Sequence, residues 1–241
     1  MSFMKWISRP GLTAEINLLN DEVKKNNLLF MCEAGLDPGI DHMSAMKIID
    51  ELKERNANII SFDSATGGLV APESDDNPWH YKVTWNPRNV VLAGQGAAQF
   101  LEKGRVKYIP YNRLFSETRK TEIKGFGKFE SYANRDSLSY IPLYGLENTP
   151  NILRATFRRN NYCSGWNALI KLGLTDDTYQ LSGIEKMSYA EWIESYLPEE
   201  KRNKNSALLK RVADFLEVKK NSKIKEMYIV DHYQPISSIR L

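Results

Sequence analysis

The stretch "CEAGLDPGIDHM", Cys32 to Met43, constrains the fold of this chain more than any other. It places two glycines, a proline, two aspartates and a histidine between an apolar run and a helical pattern. The apolar run "LLFMCEA" (28–34) reads as a buried strand. In "DHMSAMKIIDELKER" (41–55), Met43, Met46, Ile49 and Leu52 recur at helical spacing, with Asp41 near the positive end of the helix. "ANIISFDSATGGL" then reads as a second strand, so the unit predicts a βαβ crossover. A ligand loop at the carboxyl end of a strand is one reading of "GLDPGID". Gly35 and Gly39 allow close backbone approach, and Asp37 is an acceptor for an ammonium group. A tight turn with Asp41 as helix cap is the other.

The rest of the chain divides by pattern. "SRPGLTAEINLLNDEVKKNN" reads as a loop and a helix capped by Thr13, with Ile16, Leu19 and Val23 on one stripe. "APESDDNP" is a polar loop, and "WHYKVTW" alternates like a strand. "PRNVVLAGQGAAQFLEKG" predicts a helix from about Asn89 that ends at Gly104. "RVKYIP" and "YNRLFS" read as short strands, "GFGKFESYANRDS" as an aromatic loop, and "NILRATFRR" as a strand. From Tyr162 onward three helical patterns follow, "NYCSGWNALIKLGL", "SYAEWIESYLP" and "SALLKRVADFLEV". "KEMYIVDHYQPISSIRL" predicts a returning strand and a tail.

Composition excludes several function classes. With 241 residues and 42% hydrophobic content, the chain can bury a real core. Its net charge is +3, but Lys and Arg are mixed with Asp and Glu, so no nucleic-acid footprint stands out. Two distant cysteines, Cys32 and Cys163, make no disulfide framework or zinc spacing and suggest a reducing cytoplasm. Met1 to Trp6 is too short for a signal peptide, and no apolar run reaches membrane-spanning length.

Candidate chemistry is sparse outside the opening loop. "SATGGLVAPE" offers paired glycines and the hydroxyls of Ser64 and Thr66, without the spacing or lysine of a phosphate loop. Arg135, in "NRDS", suits a bidentate carboxylate, or else pairs with Asp136 on the surface. Arg154 and Arg158 share one strand face, either solvated or anion-binding. His42, His80 and His232 have no metal-ligand spacing, and no GxSxG or HExxH occurs. No GxGxxG follows a strand, so the chain carries no dinucleotide fingerprint. Met43, Met46, Trp166, Trp192 and Phe215 fall on helix stripes and read as packing.

Taken in order, "GLDPGIDHM", "GGLVAPESDDNPWHYKVTW", "YANRDS" and "ILRATFRR" resemble the saccharopine dehydrogenase family, in particular its glutamate-forming, saccharopine reductase type. Two positions depart from the family pattern: Thr66 stands where a cysteine is usual, and Val70 where a proline is. The resemblance implies an α+β fold, a mixed β-sheet with helices packed on one face plus a small helical subdomain. It divides the chain into a linking helix (1–30), a substrate-binding and dimerisation domain (31–160), a helical subdomain (161–221), and a returning strand and tail (222–241). It also implies that the nicotinamide-binding Rossmann domain is missing. NADP or NAD would then serve the full-length enzyme, and this chain alone would bind none and turn over nothing.

The same resemblance assigns residues. Asp37 sits against the substrate amine, and Arg135 clamps a carboxylate. Thr156, Phe157 and Arg158 line the pocket from a strand, with Thr66 and Gly67 beside them, and Trp85 lies beside the nicotinamide. The implied reaction joins aminoadipate semialdehyde to glutamate and reduces the imine to saccharopine, or runs in reverse, in lysine metabolism. The implied partners are saccharopine or glutamate, a second copy in a homodimer, and the Rossmann domain, with no metal, nucleic acid or membrane. Two rivals keep the fold: an imine-reducing relative acting in carboxynorspermidine or homospermidine synthesis, and a non-catalytic dimerisation module.

Overall fold

The computed structural model describes residues 14–84, 87–92, 95–202 and 206–217. Two short helices, α1 (Ala14–Leu18) and α2 (Asn20–Lys25), precede the long helix α3 (Ile40–Glu54). Strand β1 (Phe62–Thr66) and helix α4 (Pro87–Leu92) follow, then the hairpin β2 (Ala98–Glu102) and β3 (Arg105–Ile109). After α5 (Tyr111–Leu114) comes a second hairpin, β4 (Arg119–Ile123) and β5 (Gly127–Ala133), then α6 (Tyr140–Tyr144) and β6 (Ile152–Arg159). Helices α7 (Tyr162–Leu172), α8 (Tyr189–Ser195) and α9 (Leu208–Phe215) complete the described elements. The predicted cap Thr13 and the predicted strand in 222–241 lie outside the described residues.

The sheet is mixed, and the fold is α+β with a helical segment, as expected. Strand β6 is its centre. β5 runs antiparallel to it, with Tyr132 opposite Thr156, and β2 meets it at Leu101 and Ile152. β1 runs parallel to it, with Ser64 opposite Arg154 and Thr66 opposite Thr156. Successive strand residues face opposite sides, and Ile152 and Leu153 accordingly join different apolar clusters. Ile152 packs with Ile49, Tyr144 and Leu146. Leu153 belongs to the larger cluster of Phe100, Leu114, Tyr162 and Trp166. Ala168, Leu172, Leu197, Val212 and Leu216 form the core of the helical segment.

Several local expectations are overturned. The run 28–34 is not a strand, so no βαβ crossover forms; β1 pairs in parallel with β6 instead. Leu28, Leu29 and Met31 are exposed, and no described strand offers them an edge. "WHYKVT" forms no strand either. His80 turns at φ 50, its ring bonded to Asp75, and Trp79 and Tyr81 fold into the main core. Of the helix predicted up to Gly104, the described helical part is α4 (Pro87–Leu92), and Ala98–Glu102 is strand β2 instead. Lys103 (φ 51) and Gly104 (φ 71) are the two turn residues of the β2–β3 hairpin, a conformation glycine favours there as readily as at a helix end. "YNRLFS" is a helical turn after Pro110, burying Leu114 and Phe115. The aromatic "loop" is the β4–β5 hairpin, turned at Gly125 and Gly127.

Candidate functional site

The loop 35–39 folds tightly back on itself. The Gly35 N–H donates to the Pro38 carbonyl at 3.0 Å, and the Ile40 N–H to the Gly35 carbonyl at 2.9 Å. Gly39 has φ 151, and a β-carbon there would lie 2.0 Å from the Gly35 carbonyl oxygen, so only glycine fits. The Asp37–Pro38 peptide bond is cis. The N-cap of α3 is Gly39 rather than the expected Asp41, which sits in the first turn and accepts the Gly39 N–H at 2.7 Å. Asp37 is left for other partners. Its carboxylate accepts the Thr66 hydroxyl at 2.5 Å and the Arg154 guanidinium at 3.3 Å, and its side chain remains 27% exposed. The tight turn is thus formed, with Gly39 at the helix N-cap and Asp41 tied back to it.

Arg154, which the sequence left as either solvated or anion-binding, is instead buried against two acids. It is only 5% exposed. One Nη2 donates to Asp41 at 2.5 Å as well as to Asp37, and the guanidinium lies 4.0 Å above the Tyr140 ring. Its even spacing with Thr156 and Arg158 put it on the face of β6 that meets Ser64 and Thr66, and that register was the available signal. His42 extends the cluster: its ring stacks on Tyr140 at 5.1 Å, and Nδ1 lies 2.6 Å from the Tyr144 hydroxyl. Burial pushes the Tyr144 phenol up to about 12, so it is neutral in any ordinary buffer.

The ends of β1 and β6 complete the floor. A β-carbon on Gly67 would lie 2.3 Å from the Phe157 carbonyl oxygen, so this glycine permits a close approach of two backbones. Thr156 donates its hydroxyl to the Asn134 side chain at 2.7 Å. Arg158 bonds the Phe157 carbonyl at 3.0 Å and sits 4.9 Å from the Tyr162 ring and 5.0 Å from that of Tyr81. It is half-buried among tyrosines. The Phe157 ring packs on Phe129, on the opposite face of β6 from Thr156 and Arg158.

Arg135 stands apart from Asp37, with no contact between them. It is exposed, and among the described residues its guanidinium makes no hydrogen bond or ion pair. The expected pair with Asp136 is not made. Asp136 accepts the N–H groups of Leu138 and Ser139 at 2.8 and 3.1 Å instead. Burial opposes ionisation of Asp136, but the Ser139 and Leu138 hydrogen bonds outweigh it and hold its carboxyl below the ordinary range. Trp85 lies outside the described residues. An open groove of about 450 Å³ runs between α3 and β1 from Leu36, Asp41 and Thr66 toward Ile48 and Leu52. Among the described residues, no group of three ligating side chains could hold a metal ion.

The pattern described as the saccharopine dehydrogenase C-terminal domain matches residues 35–234. The chain belongs to this family. Among relatives of the saccharopine dehydrogenase C-terminal domain family, the chain is 38% identical over 175 residues to mouse "Alpha-aminoadipic semialdehyde synthase, mitochondrial", covering 72% of this chain and 19% of that protein. It is 33% identical over 179 residues to "Saccharopine dehydrogenase [NADP(+), L-glutamate-forming]" of Saccharomyces cerevisiae, covering 74% of this chain and 40% of that protein. A solved structure of the apo, histidine-tagged yeast saccharopine dehydrogenase (L-Glu forming) superposes with a TM-score of 0.74 at 28% identity, covering 92% of this chain and 49% of that one. The chain thus spans between a fifth and a half of the length of these relatives.

Proposed function

We propose that this chain is the substrate-binding and dimerisation domain of an NADP-dependent saccharopine dehydrogenase-like oxidoreductase of lysine metabolism. The single observation that carries the reading is the state of Asp37. Its carboxylate is fixed by the Thr66 hydroxyl and Arg154, yet keeps 27% of its side chain open beside the groove. A fixed, part-exposed carboxylate binds an ammonium or a protonated imine and loses little ordering entropy in doing so. Two carboxylates, Asp37 and Asp41, share one guanidinium, which leaves an excess negative charge that favours such a cation. Arg135, exposed and unengaged, supports a carboxylate contact at the other end of a zwitterionic ligand. Thr156 and Arg158 follow Arg154 on one face of β6; Thr66 pairs with Thr156, and Gly67 lies against the Phe157 backbone.

The same proposal places the phosphate-binding part of the dinucleotide site in the full-length enzyme rather than in these residues. No GxGxxG follows a strand, and neither glycine-rich turn, at Gly67–Gly68 or Gly125–Gly127, opens a helix. NADP, where bound, would supply hydride to the imine carbon. This chain's part is to hold the amine and carboxylates and to shield them from water. The division at 160/161, a homodimer and a cytoplasmic location belong to the same proposal. Free Cys32 and Cys163 fit a reducing compartment, and no described helix is long and apolar enough to cross a membrane.

Ligand-observed NMR with millimolar saccharopine tests the reading. The chain should bind it, and Asp37→Asn and Arg135→Ala should each weaken binding roughly tenfold or more, the usual cost of losing a charged hydrogen bond. Binding unchanged in both variants overturns the assignment, and a preference for a polyamine lacking the glutamate carboxylates supports the polyamine rival.

A further inference from the structure

Arg154 makes two independent sets of ties. Through its side chain it holds the loop of Asp37 and Asp41, with Nη2 at 3.3 and 2.5 Å from their carboxylates. Through its backbone it holds the loop of Arg135. Its N–H donates to the buried Ser137 hydroxyl oxygen at 2.9 Å, and its carbonyl accepts the Asn134 N–H at 2.8 Å. Asn134 and Ser137 flank Arg135 on both sides. The other oxygens of both acids are engaged as well: that of Asp41 takes the Gly39 N–H, that of Asp37 takes the Thr66 hydroxyl, and the guanidinium rests on Tyr140.

We propose that Arg154 is a positioning residue that sets the separation between the Asp37 carboxylate and the Arg135 guanidinium, and so fixes the length of amino acid the site accepts. The inference rests on the reading of Asp37 and Arg135 given above. The physical basis is rigidity. A planar guanidinium stacked on a ring, with one nitrogen bonded to two acids, has fewer orientations open to it than an ammonium on a flexible stem. Loops placed by such a residue keep their spacing, and a shift of a fraction of an ångström at either end costs affinity for a double-ended ligand.

The test is a cycle of four proteins, wild type, Asp37→Asn, Arg154→Lys and the double variant, each titrated with saccharopine and each melted by circular dichroism. Arg154→Lys should weaken binding roughly tenfold, and the double variant should bind no more weakly than Asp37→Asn alone, because Arg154 acts through Asp37. A merely structural role would lower the melting temperature without this non-additivity. Wild-type affinity in Arg154→Lys, or losses that multiply in the double variant, overturns the inference while leaving the role of Asp37 intact. Wild-type affinity in Asp37→Asn overturns the reading of Asp37 itself, and this inference with it. If Arg154→Lys does not fold, Tyr140→Leu replaces it in the cycle, removing the ring and keeping the charge.

Discussion

At the scale of single residues, the loop at 35–39 shows how sequence chemistry becomes geometry. Gly39 is there because its backbone leaves no room for a β-carbon against Gly35. Gly39→Ala should therefore displace the loop, and with it Asp37 and the Gly39–Asp41 hydrogen bond. We expect a loss of about 2 kcal/mol or more in urea unfolding, since the strain cannot be relieved by rotating a side chain. An unchanged midpoint would show that the loop relaxes freely. The acids and glycines of this loop were legible because such residues are rare together. Arg154 was not, because an arginine at even spacing on a strand reads the same whether solvated or buried. Its partners, Asp37 and Asp41, lie more than a hundred residues away.

At the scale of elements, legibility followed how much each element depends on its neighbours. Helix α3 and strand β6 carry their own periodicity and stood out in the sequence. The run 28–34 has the composition of a strand but lacks a described edge to pair with, and composition alone does not supply a partner. Strand β3 was legible, but β2 read as helix because glycine marks both a helix end and a tight turn, and β5 read as a loop because its glycines and aromatics carry no strand signal of their own. What ties these elements together is a few buried polar contacts. Ser137 is fully buried, and its hydroxyl oxygen accepts the Arg154 N–H across the β5–α6 loop and β6. Ser137→Ala leaves that N–H without a partner and should cost about 1–3 kcal/mol in unfolding free energy. Hydrogen exchange at Arg154 provides the check: in the variant that amide should exchange faster, and unaltered protection would count against the contact.

At the scale of the whole molecule, the helical segment and the sheet share one element. Helix α7 contributes Cys163 and Trp166 to the sheet's core, and Ala168 and Leu172 to the core of α8 and α9. An ion pair at 2.7 Å between Arg211 on α9 and Glu194 on α8 closes the small core, whose centre, Leu197, is completely buried. Disrupting the small core therefore loosens α7, and α7 is one wall of the large one. The two should unfold together, although the sequence marks a change of character at Tyr162. Leu197→Ala should cost about 2–5 kcal/mol and lower the midpoint of a single transition. Tryptophan fluorescence, dominated on the sheet side by Trp79 and Trp166, and far-ultraviolet dichroism should move in step in both wild type and variant. If dichroism instead falls first while fluorescence holds, α7 does not couple the two cores, and residues 161–217 behave as an independently melting unit.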